Sequence, residues 1–344
     1  MSPSKSGSGR LRAYIEFLAA VLYFFLARAL ARHEALGMAN ELWQPLVEQA
    51  TLLFLLLLGY AGMGYALDRQ QHPLSEQGLP RRAGWRNEAG LGLAIGWALA
   101  VVCVLPMVVG GGIAVVLVLE SSAWGWLLAD AAFFALAALA EEVAFRGYGF
   151  QRFVQSVGSL GAALGYAAFY AIVQALLPGS SHSSVAVSLA FSMALSIAYL
   201  RTRALWVSWG INFGWKASRA LLFGLTISGV SSHSPVVQGN PMGPFWLTGG
   251  GYGLDGSWVT FVVLLAALPV IYRVTRELDY RYNTPEIVSG GIPVDLNGIA
   301  RSQHESAMGT AAPAAPGLVQ ILPATSPQAT ISEPPSAGQP PAVS

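Results

Sequence analysis

Charge is what this chain has least of. Only 11% of its 344 residues are Asp, Glu, Lys or Arg, against about 25% in an ordinary soluble domain. With 54% hydrophobic residues, a water-facing surface cannot be built around so large a core, and the soluble globular class is excluded. The near-neutral balance of +1 leaves no basic patch for nucleic acid. Cysteine is almost missing: Cys103 stands alone in an apolar run, so no intrachain disulfide can form and it reads as a core residue. None of the five histidines (His33, His72, His182, His233, His304) falls inside an apolar run. No internal repeat and no paired broken helices of the transporter kind are visible.

What is present is a series of apolar runs near the length that crosses a bilayer. Eight are expected, at about 14–30, 50–67, 90–118, 123–153, 160–177, 185–200, 205–225 and 258–272. The pattern predicts an all-α, polytopic transmembrane bundle with about eight spans. The first run is read as a retained span, because no clean small-residue cleavage site follows it and Arg28 and Arg32 end it. The third contains Pro106 and Gly110-Gly111-Gly112, which predicts a kink or a re-entrant end. Basic residues gather at alternate connections: Lys5, Arg10 and Arg12; Arg69, Arg81, Arg82 and Arg86; Arg152; Arg201 and Arg203; Arg273, Arg276 and Arg281. The intervening loops after spans three, five and seven have no Lys or Arg. This alternation predicts a cell-membrane protein with both termini cytoplasmic, Arg28 and Arg32 being the exception. Residues 1–282 are expected to form the transmembrane domain. Residues 283–344, rich in Pro, Ala and Ser, are expected to be a disordered tail. The Gly- and Pro-rich loop at 228–257 is expected to be ordered against the bundle.

The exceptional stretch is Glu141-Glu142-Val143-Ala144-Phe145-Arg146, three charges inside an apolar run. Ionisable groups at membrane depth are costly and mark functional sites. Glu142 and Arg146 are four residues apart and share a helix face, so they can pair. Glu141 is turned about 100° away toward another neighbour. Removal from water makes a carboxylate a stronger base, which suits activation of water. The bland alternative is that the charges snorkel at a helix end, but apolar residues flank both sides. Counting from Arg152, Ser159 and Arg201 as helix ends puts Glu141, Gln174 and Asn212 roughly 16, 22 and 16 Å deep. Lys216 follows Asn212 by one turn and is the expected partner of Glu141. Taken singly, Gln174 and Asn212 read as interhelical hydrogen-bonding residues; taken with the glutamates they read as a shared polar site.

The run from Glu141 to Tyr148, continuing to Gln151-Arg152-Phe153, resembles the EExxxR motif of the CPBP family. That family contains the CAAX prenyl endopeptidases and the bacteriocin-processing or immunity-type membrane proteins. Tyr199-Leu200-Arg201-Thr202-Arg203-Ala204-Leu205-Trp206, Trp215 and the Gly-rich loop before the last span are also similar, so the resemblance covers about 123–257. It implies an intramembrane endopeptidase. Glu141 would activate water, with Glu142 and Arg146 in support. Two later histidines and an asparagine one turn after the second would stabilise the tetrahedral intermediate, or bind a divalent metal in the alternative description of the family. This chain departs at all three positions, with Gln174 (or Val173), Asn212 and Lys216. Amides can donate to an oxyanion but are poor zinc ligands, so no cofactor is expected. Two readings follow: a peptidase working near the cytoplasmic leaflet on a membrane-associated peptide or protein, or a non-catalytic descendant that binds one. A small transporter ranks third.

Overall fold

The computed structural model describes residues 7–278 except 119, 121, 122, 235 and 277. The expected tail at 283–344, and the basic residues Lys5 and Arg281, lie outside the described residues. The chain runs through α1 (Gly7–Leu36), α2 (Gln44–Asp68), the short α3 (Pro73–Glu76), α4 (Trp85–Val109), β1 (Ile113–Leu117), α5 (Ala123–Arg146), α6 (Tyr148–Val157), α7 (Ser159–Ala175), α8 (His182–Thr202), α9 (Leu205–Ala217), β2 (Val237–Pro241), the short α10 (Phe245–Thr248) and α11 (Trp258–Val274). Five helical stretches are long and apolar enough to cross a membrane: 8–36, 41–68, 85–109, 123–157 and 182–202. The apolar helices α7 and α11 are shorter.

Three expected boundaries are corrected. The third run does not continue as helix to residue 118. Gly110 ends α4, Gly111 takes φ +74°, and the β-branched stretch beyond pairs antiparallel with β2, Ile113 opposite Pro241 and Leu117 opposite Val237. Beside its helices the chain therefore carries a two-stranded sheet, which an all-α expectation leaves out. The fourth run is two helices. Gly147 adopts φ −77°, ψ −139° and separates α5 from α6; a Cβ there would lie 2.3 Å from the Val143 carbonyl oxygen. The seventh run passes from α9 into a π-helical turn at Ser218–Leu222.

Helices α4 and α9 touch backbone to backbone. Gly92 and Gly96 face Gly210 and Gly214, and a Cβ on any of the four would fall within 2.5 Å of a backbone oxygen of the other helix. Small residues four apart are the means by which membrane helices approach so closely. This pins α9, which carries Asn212 and Lys216. One apolar core surrounds it, built from residues such as Leu99, Phe191, Leu195, Ile211 and Leu264. A second, aromatic core joins α1, α2, α5, α6 and α7 through Phe24, Tyr60, Phe145, Tyr148, Phe150 and Tyr166. α5 packs against both α2 and α9, so its polar residues sit at the seam between the two cores.

Candidate active site

Glu142 and Arg146 lie one turn apart on α5, and neither side chain is exposed. Arg146 Nη1 donates to Glu142 Oε1 at 3.2 Å. Its Nη2 donates to the backbone oxygen and the hydroxyl of Ser192 on α8 at 3.1 and 2.8 Å, and its guanidinium lies 6.0 Å from the ring centre of Tyr170 on α7. A charge buried this deeply persists only when paired and hydrogen-bonded, and three helices share that task.

Asn212 of α9 spans the two glutamates. Its Nδ2 donates at 3.0 Å to Glu141 Oε2 and at 3.0 Å to Glu142 Oε1. Lys216, one turn along α9, forms a direct ion pair with the other oxygen of Glu141. Glu141 is the more accessible of the two acids, with 26% of its side chain exposed. The exposed part faces a cavity of about 320 Å³, within the range of about 300–1,000 Å³ common for small-ligand sites. Phe145, Tyr170, Trp215 and Lys216 line it beside Glu141. Gln174 and the alternative position Val173 line it from the end of α7; Gln174 Oε1 is buried without a protein partner.

All six residues singled out in the sequence therefore meet at one place. The depth count is corrected, because α5 ends at Arg146 and α9 begins at Leu205. Glu141 is five residues from its helix end and Asn212 seven, roughly 7 and 10 Å.

Other charged groups belong to the same cavity and were not legible as such. Asp130, three turns before Glu141 on α5, accepts the Ser234 N–H at 2.7 Å and lies 2.9 Å from His233 Nδ1. Arg219 in the π turn donates to Asp255 Oδ1 at 2.6 Å and lies 4.2 Å over the Trp215 ring. Each was visible only as a lone charge in an apolar run; the partners are 103 and 36 residues away.

A divalent metal does not fit the donors at Glu141. Cationic Lys216 and Arg146 already occupy carboxylate oxygens there, and the remaining groups are amides, poor ligands without imidazole or thiolate company. Among the described residues no group of three or more His, Cys, Asp or Glu could hold a metal ion.

A helical bundle with a paired-carboxylate site and an internal cavity defines the class: a multi-pass membrane protein lodged in the lipid bilayer. Residues 122–218 match the family described as type II CAAX prenyl endopeptidase Rce1-like, a stretch that contains every one of the six residues. Over that stretch the chain is similar to the CAAX-protease-like family that its motif residues resemble. No curated protein and no solved structure matches it.

Proposed function

We propose that the site is a peptide-hydrolysing centre of the CAAX-endopeptidase type with Glu141 as general base. One observation carries this reading: of two adjacent acids, Glu142 is sealed in with Arg146 while Glu141 faces the cavity. A water molecule in the cavity gives its proton to Glu141 as it attacks a peptide carbonyl. Lys216 keeps one N–H on Glu141 and has two more for the developing oxyanion; the Gln174 amide is a second donor from the facing wall. Glu141 then returns the proton to the leaving amine. Asn212 acts through Glu141, since its two 3.0 Å bonds fix that carboxylate against Glu142 and Arg146.

The same reading takes residues 1–282 as a domain of eight crossings with both ends cytoplasmic. α7, α9 with its π turn, and α11 supply the three crossings beyond the five long ones. The substrate is a membrane-associated peptide or protein.

A second reading is supported by the Lys216–Glu141 pair, with Lys216 where the resemblance implies an asparagine and amides at both implied histidine positions: a non-catalytic descendant that binds such a peptide. A peptidase assay of reconstituted full-length protein separates the two. Cleavage that disappears in Glu141→Gln, while the variant unfolds at the wild-type temperature, supports the first. Wild-type protein that is inert, with cleavage gained by the Gln174→His/Asn212→His double variant, establishes the second.

A further inference from the structure

We infer that the Glu141 cavity is loaded from the extracytoplasmic side of the membrane, by a short and largely apolar polypeptide end. The inference rests on the reading that this cavity is the working site, and it reverses the cytoplasmic-leaflet location expected from sequence.

The two ends of the bundle differ in kind. One gathers the start of α1, the end of α2, the start of α4, α6, the end of α8 and the start of α9. Cross-contacts make it a single surface: Arg152 pairs with Asp68 at 2.7 Å and Glu16 at 3.6 Å, Arg82 reaches Glu88 and the Thr202 carbonyl at 2.9 Å each, and Trp206 Nε1 donates to the Pro80 carbonyl at 2.8 Å. Arg10, Arg12, Arg69, Arg81, Arg82, Arg86, Arg152, Arg201 and Arg203 lie here, against Arg28 and Arg32 near the far end of α1. The other end is joined by Trp43 against Trp126 at 5.7 Å, His233 against Asp130 and Ser183 donating to the Gly256 carbonyl. Its loops at 110–122, 176–181 and 223–257 contain no Lys or Arg. By the positive-inside rule this second end is extracytoplasmic.

The cavity belongs to that second end. From Glu141 its lining runs along α5 through Ala137 and Phe133 to Asp130. Asp130 and Glu141 are 11 residues apart, three turns plus about 20°, so one helix face spans roughly 16 Å from site to rim. Glu48 near the start of α2, with Ser231 and His233 of the loop after α9, completes the rim. In the opposite direction the way is closed. Glu142, Arg146, Tyr148 and Phe150 are each 0% exposed, and α6 with its Arg152–Asp68 pair lies beyond them. The walls are aromatic and the rim is charged, which suits an apolar peptide end leading inward and a hydrated chain behind it.

Cysteine accessibility in intact cells tests this with the full chain. Cys103 is buried, and Cys103→Ala provides the background. Ser231→Cys reports on the rim, Ala137→Cys on the wall, and Gln71→Cys, exposed after α2, on the basic end. A small membrane-impermeant methanethiosulfonate added outside should modify the first two, and should reach Gln71→Cys only after the membrane is opened. Ala137→Cys that reacts only in opened membranes or not at all, or Gln71→Cys that reacts in intact cells, overturns the inference. The readout needs no catalysis: labelling as expected with an inert enzyme sinks the peptidase reading alone, and the reverse pattern with active enzyme sinks only the direction of access.

Discussion

Two neighbouring glutamates on one helix have been given opposite circumstances. Glu142 is fully buried, held by Arg146 and Asn212, and part of a network that ties α5 to α8 and α9. Glu141, one residue earlier, meets Lys216 and Asn212 but turns a quarter of its side chain to a cavity. A helix rotates about 100° per residue, and here that rotation separates an acid that supports structure from one that can meet a ligand. The buried pair is rigid because neither partner has anywhere else to go. The open pair is held by one cation on a flexible stem, whose N–H groups can be shared with whatever enters.

The sharpest way to break this contrast is to strip the closed pair. Arg146→Ala leaves Glu142 as an unpaired buried charge and is expected to cost about 3–5 kcal/mol, seen as a large drop in thermal unfolding temperature in detergent; a loss under about 1 kcal/mol would contradict the dry network. Next comes the contact that brings α9 to both acids. Gly96→Val drives a side chain into the Ile211 carbonyl and Trp215 amide of α9 and is expected to cost about 1–3 kcal/mol. Wild-type stability would mean that the helices can separate freely. Lys216→Ala should cost less than Arg146→Ala, about 1–2 kcal/mol, because cavity water can take over part of the lysine's role at partly exposed Glu141; equal losses would place both pairs in the same environment. Smallest in stability is Glu141→Gln, expected to shift unfolding by under about 1 kcal/mol while lowering peptide cleavage by about 10²–10⁴-fold. Unchanged cleavage in that variant would rule out Glu141 as the base.

Much of this arrangement was legible in the sequence because it follows from helical spacing. The i, i+4 separation of Glu142 and Arg146 puts them on one face, the following turn after Asn212 brings in Lys216, and both rules hold whatever the tertiary fold. The break at Gly147 was hidden by the apolar residues on both sides of it, since hydropathy is blind to backbone torsion. β1 was hidden likewise: an apolar run of five residues suits a buried helix end as well as a strand, and its partner residues in β2, from Val237 opposite Leu117 to Pro241 opposite Ile113, lie 120 to 128 residues further on. The glycine pairs at 92/96 and 210/214 carried a readable small-residue spacing. The Asp130–His233 contact did not, because a loop histidine shows no period and its approach to α5 depends on how residues 227–236 fold back.

The closed floor beneath Glu141 has a consequence for membrane integrity. A hydrated carboxylate this far into a bilayer invites a proton leak if water can line up from one face to the other. Here the column of water can stand on one side only, and at its foot the chain has set a guanidinium. A hydronium or sodium ion moving past Glu141 would meet the Glu142–Arg146 pair in a dry, aromatic surround, where nothing replaces the ion's lost hydration. The cavity is thus a blind well. A floor closed in this way keeps a buried acid from becoming one station of a continuous ion path.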